Sequence, residues 1–334
     1  MDLKHLLKRG ALIVAANWPV VAIQFIVETT FQVLLMLPVF GAAVLVAILL
    51  GRDLGSLLQG NLRQMFTTVA SALLSVPVAL VAFIAAFCLV LFGGSILLFI
   101  VKGGIVDVIV AANAGTAAIE FRPLTLESLR SASRFTLERF MKGCSRLWRR
   151  YLRLGFTLMI VYGASAAAYI AVVIGSYRAL ADQPSLVGWK TLAALAAALL
   201  VVWITVVNFV YLLLQVSMAV EDVGIRQSSR AVARFVRAEF RSLMSILLVV
   251  VGLFVIATLA SALAWSGVGL IAFVPLVGLA VFPLQLAALV VRGLAFQYLG
   301  LTALGAYVKL YAAHAERGGD TVGVSTASPA SAPA

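Results

Sequence analysis

The chain has 334 residues, of which 63% are hydrophobic and only 11% charged, and its mean hydropathy is +1.11. A soluble domain of this length carries about 25% charged residues, so a soluble globular protein is excluded. The net charge of +12 is the basicity that membrane proteins gather in their cytoplasmic loops, and it does not call for a nucleic-acid partner.

In chain order, residues 2–16 read as a short amphipathic segment with Lys4, Lys8 and Arg9 toward water. Its basic start and apolar stretch have the features of a signal peptide. The apolar run does not stop at Ala16, however. It continues through Trp18-Pro19 to Leu50 and is expected to be an uncleaved first span, 20–50. That span exceeds the roughly 20 residues that cross about 30 Å of hydrocarbon, so it is expected to tilt, to bend at Pro38 or to begin in the interface. Gly51–Ala70 reads as a weakly charged interfacial helix on the far side. The second span is 74–101, with its helix running on toward Ala118 until Arg122-Pro123 breaks it.

A basic helix then follows over 124–153. Leu126, Leu129, Leu137, Phe140, Leu147, Tyr151 and Leu154 lie on one side and Arg130, Arg134, Lys142, Arg146, Arg149 and Arg153 on the other. Phe135 falls on the wrong side and Trp148 at the boundary. This pattern predicts a helix lying flat in the membrane interface, with its apolar side in lipid and its cations toward phosphates. The third and fourth spans are 154–175 and 191–220. A shorter basic amphipathic helix over 221–242 carries Arg226, Arg230, Arg234, Arg237 and Arg241 as one stripe. The fifth and sixth spans are 243–265 and 275–311. Residues 312–334, rich in Ala, Ser, Gly and Pro, are expected to be a disordered tail.

Six spans place 20 of the 25 Lys and Arg on one side and 4 on the other, with Arg292 inside a span. By the positive-inside rule both termini are then cytoplasmic. The expected fold is an all-α polytopic membrane protein, one integral domain over 1–311, in a bacterial-type inner membrane.

The order span, basic amphipathic helix, span occurs twice, over Leu74–Gly175 and Thr191–Trp265. In the second copy Glu221, Gly224, Ser228, Ser229, Arg230 and Phe240 form a pattern, which Leu126-Glu127-Ser128-Leu129-Arg130 with Phe135 echoes in the first. On these residues the chain resembles, over about 10–311, a bacterial family of six-helix inner-membrane domains mostly of unknown function. That family includes the membrane domain fused to some glycerophosphodiester phosphodiesterases. The resemblance implies a six-helix membrane fold. It brings no catalytic residue, because these residues include no phosphodiesterase domain. Duplication is also a feature of transporters built from repeats.

Polar residues inside spans are costly and mark candidate sites. Gln24, Glu28 and Gln32 form one stripe, Asn208, Tyr211 and Gln215 a second, and Gln285 and Arg292 a third. A Glu28–Arg292 pair is expected, either around a polar substrate or lipid-headgroup site or as a structural bridge within the bundle. Gly163, Ala167, Ala171 and Gly175 recur every four residues and predict close helix packing, within the chain or in a homodimer. The two basic helices are expected to meet anionic lipid, or to dock a protein partner.

Cys88 and Cys144 stand alone, with no disulfide or metal-site spacing. His5 and His314 lie near the ends, and Asp107 and Glu120 have no second catalytic group in register. No HExxH, GxSxG or P-loop motif is present, so no cofactor, metal or catalytic residue is expected. Two functions follow: a non-catalytic scaffold or accessory domain in envelope or lipid homeostasis, or a small transporter or channel using the Glu28/Arg292 region.

Overall fold

The computed structural model describes residues 2–50, 76–121, 125–180, 187–272 and 275–323. These residues are helical, with no strand among them. Helix α1 (Leu3–Ala16) ends at Asn17, where Trp18-Pro19 opens α2 (Trp18–Leu50). A proline one residue into a helix gives up only an N–H that has no partner there. Helix α3 (Pro77–Gly115) likewise starts on proline and leads to a 3₁₀ turn at Ile119–Phe121. The short α4 (Leu126–Ala132) is set by a capping box between Thr125 and Ser128. Long helices follow: α5 (Leu137–Leu180), α6 (Val187–Glu221), α7 (Ile225–Ala272) and α8 (Pro275–Gly323). Six of these, α2, α3, α5, α6, α7 and α8, are long and apolar enough to cross a membrane.

Buried and exposed side chains divide the bundle along its length. The buried apolar residues fall mainly in 6–21, 99–112, 140–154, 211–219, 231–246 and 301–311, and most belong to one cluster. The exposed large apolar residues concentrate in 26–48, 78–97, 156–177, 192–210, 248–263 and 282–291. Most of these exposed stretches run near the 20 residues that a bilayer's hydrocarbon requires. One end of the molecule is therefore a protein-packed core, and the remainder offers its side chains to lipid. The packed end carries most of the basic residues of 124–153 and 226–241. Helix α1 packs there against α8, with Gly10 so close to the Thr302 carbonyl that a Cβ would overlap it. Both described ends of the chain thus lie at this basic end.

Several expectations change. The basic helix of 124–153 is not a separate element lying flat. The chain breaks at 133–136, and from Leu137 the basic stretch and the third span are a single helix of 44 residues, about 66 Å long at 1.5 Å per residue. Beyond Leu126 and Leu137, which are exposed, the apolar side of the basic stretch meets protein: Phe140, Leu147, Tyr151 and Leu154 are buried, chiefly against α3, where Gly103 and Gly104 admit Leu147, Cys144 and Phe140. The break also accounts for Phe135, which faces wrongly only if the helix is continuous. Asn17 supplies the cause. Its Oδ1 accepts from the N–H groups of Arg134 (2.8 Å) and Phe135 (2.9 Å), and its Nδ2 donates to the carbonyls of Ile13 and Ala132. These bonds replace those that a continuous helix would make.

The second basic stretch behaves differently. Helix α7 has a non-helical residue at Glu239 (φ −117°, ψ 27°), so the segment before it and the fifth span meet at a kink. The tail expected to be disordered from 312 is helical through Gly323, held by Arg317 on Glu239 (2.8 Å) and by the His314 ring beside Phe235. Among the described residues, no helix packs on the small-residue stripe Gly163/Ala167/Ala171/Gly175. All four residues are exposed, and a Cβ on either glycine would meet nothing within 4 Å. An adjacent face meets α6 instead: the Tyr162 hydroxyl donates to Asn208, Ser165 accepts from Trp203 Nε1 and the Val173 carbonyl from Trp189 Nε1. The interfacial helix expected over Gly51–Ala70 lies outside the described residues.

Candidate functional site

Helix α2 brings Gln24 and Glu28 to the margin of the packed core, one turn apart on the same side. One Glu28 carboxylate oxygen accepts from Gln24 Nε2 and the other from Gln297 Nε2 of α8 (2.5 Å). Lys102 enters from α3, its ammonium 6.0 Å from the centre of the Tyr211 ring on α6. Gln215, one turn beyond Tyr211, is 3% exposed. Among the described residues, its Nε2 and the neighbouring Tyr211 hydroxyl complete no hydrogen bond of good geometry.

Between these groups lies a cavity of about 170 Å³, lined by Gln24, Lys102, Gln215, Gln297 and the bare backbone of Gly300. That space would hold about five waters at liquid density, or one small polar molecule. Lys102 and Gln215 offer donors. The carbonyl oxygens of Gln24 and Gln297, whose amide nitrogens are committed to Glu28, offer acceptors.

This grouping differs from the expected one. Glu28 does not pair with Arg292. The Arg292 guanidinium stacks 5.6 Å from the Phe296 ring and lines an apolar groove of about 470 Å³ between α7 and α8. Amide donors, with Lys102 as a nearby cation, take the place of the guanidinium. Gln24, Glu28 and Gln215 come together, whereas Gln32 and Arg292 are exposed and Gln285 is half-buried outside the cavity. Asn208 accepts from the Tyr162 hydroxyl of α5. Lys102 and Gln297 were missed. Lys102 reads as a residue just past the end of a span, and Gln297 is off the register of Gln285 and Arg292, so neither has a sequence signal tying it to Glu28.

A second polar assembly ties the basic end together. Arg9, expected to face water, is 3% exposed and bonds Glu120 (6% exposed) at 2.6 Å. It also donates to the Asn113 side chain (2.8 Å) and to the carbonyls of Asn113, Thr116 and Ala117 at the end of α3. A guanidinium here satisfies carbonyls that a helix terminus leaves open and neutralises a buried carboxylate. Lys8 adds a bond to the Glu120 carbonyl (2.7 Å).

At the end of α6, Arg146 bridges Asp107 (2.6 Å) and the Ala219 carbonyl, and Arg150 pairs with Asp222 (2.6 Å). Asp222 has φ 55°, the left-handed turn that short polar residues tolerate. The Tyr311 hydroxyl donates to Glu221 (2.5 Å) and lies 2.8 Å from Ser217. The carboxylates Asp107 and Glu120 are thus engaged as structural partners. Among the described residues no three His, Cys, Asp or Glu side chains gather as metal ligands.

No family model, curated protein or solved structure matches the chain.

Proposed function

We propose that the protein is a non-catalytic scaffold or accessory domain of a bacterial-type inner membrane, acting in envelope or lipid homeostasis with both termini in the cytoplasm. One observation carries this reading: the basic end is a packed core cross-tied by Arg9–Glu120, Arg146–Asp107, Arg150–Asp222 and Arg317–Glu239. Such a core is a rigid platform at the lipid headgroups, with unpaired cations left on its surface for anionic lipid. The resemblance to six-helix inner-membrane domains is consistent with it.

Duplication also belongs to this reading. Ser128, Arg130, Arg134, Phe135 and Phe140 recur as Ser228, Arg230, Arg234, Phe235 and Phe240, at an interval of 100 residues. Ser128 and Ser228 are buried in both copies, as are Ala132 and Val232. The basic connectors of the two copies diverge because Asn17 breaks the first and Glu239 kinks the second.

The polar cavity favours a second reading, a small transporter or channel whose site is Glu28, Lys102 and the glutamines in place of Glu28 and Arg292. Reconstitution into proteoliposomes separates the two. A scaffold leaves the flux of ions and small polar solutes at the level of protein-free vesicles. Substrate-dependent flux that disappears on Glu28→Ala or Lys102→Ala would replace the scaffold by the transporter.

A further inference from the structure

A cavity of about 600 Å³ opens at the start of α5, between that helix and the last turns of α3. Its volume falls within the range of small-molecule sites. Four cations line it, Arg134, Arg139, Lys142 and Arg146, against two carboxylates, Asp107 and Glu138. The protein itself holds two of the cations. Arg134 donates to the Gly115 carbonyl (2.8 Å), and Arg146 is fixed by Asp107 and the Ala219 carbonyl. Among the described residues, the side chains of Arg139 and Lys142 make no hydrogen bond or ion pair.

Residues 139, 142 and 146 share one face of α5 at helical spacing. The same cavity receives Thr136, whose hydroxyl accepts from the Arg139 N–H just before that helix, and its first-turn Glu138, so the positive dipole end of the helix adds to the field. Arg146 answers Asp107, and Glu138 offsets one of the charges of Arg134, Arg139 and Lys142, which leaves a formal excess of two positive charges at the cavity. Two anchored guanidiniums beside two uncommitted cations make a cradle for an oxyanion that accepts several charge-assisted hydrogen bonds.

We infer that this cavity is a discrete binding site for a terminal phosphate group, supplied either by a phosphomonoester lipid headgroup or by free phosphate. The inference rests on the reading of this end of the molecule as a lipid-facing platform and assigns one location to what would otherwise be diffuse attraction. Arg139 and Lys142 carry the selectivity, and Arg134 and Arg146 position the anion.

The test uses the full chain in neutral detergent, titrated with short-chain phosphatidic acid, short-chain phosphatidylcholine and inorganic phosphate, with binding followed by calorimetry. The expected result is saturable binding of one equivalent of phosphatidic acid, stronger than that of phosphatidylcholine. Arg139→Gln/Lys142→Gln is expected to weaken it about thirtyfold, the effect of removing two cations facing an anionic surface. The control pair Arg178→Gln/Lys190→Gln removes the same charge from the far ends of α5 and α6, where both side chains are exposed, and is expected to change it by less than about twofold. Inorganic phosphate binding with the same dependence on Arg139 and Lys142 would assign the site to a free phosphate, and lipid binding without it would assign the site to a headgroup. Absence of saturable binding by either, or equal losses in both double variants, would overturn the site. Either failure leaves the scaffold reading standing, since that reading falls only to a positive flux assay.

Discussion

Arg9 has one bond to a carboxylate, one to an amide side chain and three to carbonyls at the end of α3, and nothing in the local sequence distinguishes it from Lys8 beside it. Arg9→Met would leave Glu120 charged and buried and the helix end uncapped. The expected cost is about 3–5 kcal/mol, read as a lowered midpoint of thermal unfolding in detergent, whereas Lys8→Met should cost far less. The same contrast applies to Glu28 and Arg292. They share no contact, so Glu28→Gln and Arg292→Gln should act additively, with a coupling energy below about 0.5 kcal/mol in a double-mutant cycle. Recovery of stability in the double variant would restore the pairing that residue spacing suggests.

Helices α3 and α5 pack through glycine. A Cβ at Gly104 would lie 2.6 Å from Cys144 Sγ and 2.7 Å from the Phe140 ring, both in the buried core. Gly104→Val should therefore cost about 1–3 kcal/mol by overpacking, measured by the same unfolding midpoint. The outward-facing stripe on α5 makes the opposite case. Ala167→Leu/Ala171→Leu should leave stability within about 0.5 kcal/mol, because both side chains are exposed and no helix among the described residues lies against them. A change in oligomeric state on size-exclusion chromatography with light scattering would show that a second copy packs there. Periodicity identified small residues at a packing interval correctly as a pattern. It could not say which of two adjacent faces of α5 meets α6, since that depends on the rotation of the whole helix.

At the scale of the molecule, the division into a packed basic end and lipid-exposed spans explains where polar groups are tolerated. Buried charges sit in the packed end with partners, while the exposed spans carry mainly apolar side chains. Lys102 and Glu28 lie where these two regimes meet. If the cavity there is a structural water site, Lys102→Met should leave solute flux in proteoliposomes at background and alter only stability.

Six spans follow from the sequence alone, because hydrocarbon admits only long apolar helices whose backbone groups are satisfied internally, and that requirement is local to each run of residues. The cationic stretches were equally legible, since charge is a property of composition. Tertiary structure decided what those stretches do. An amphipathic helix presents the same pattern whether its apolar side meets lipid or another helix, and only the approach of α3 through Gly103 and Gly104 turns Phe140, Leu147 and Tyr151 into a protein core. The partners of Arg9, Asn17 and Glu28 are equally non-local: Glu120, Arg134 and Gln297 stand more than a hundred residues away, and spacing along the chain carries no record of them.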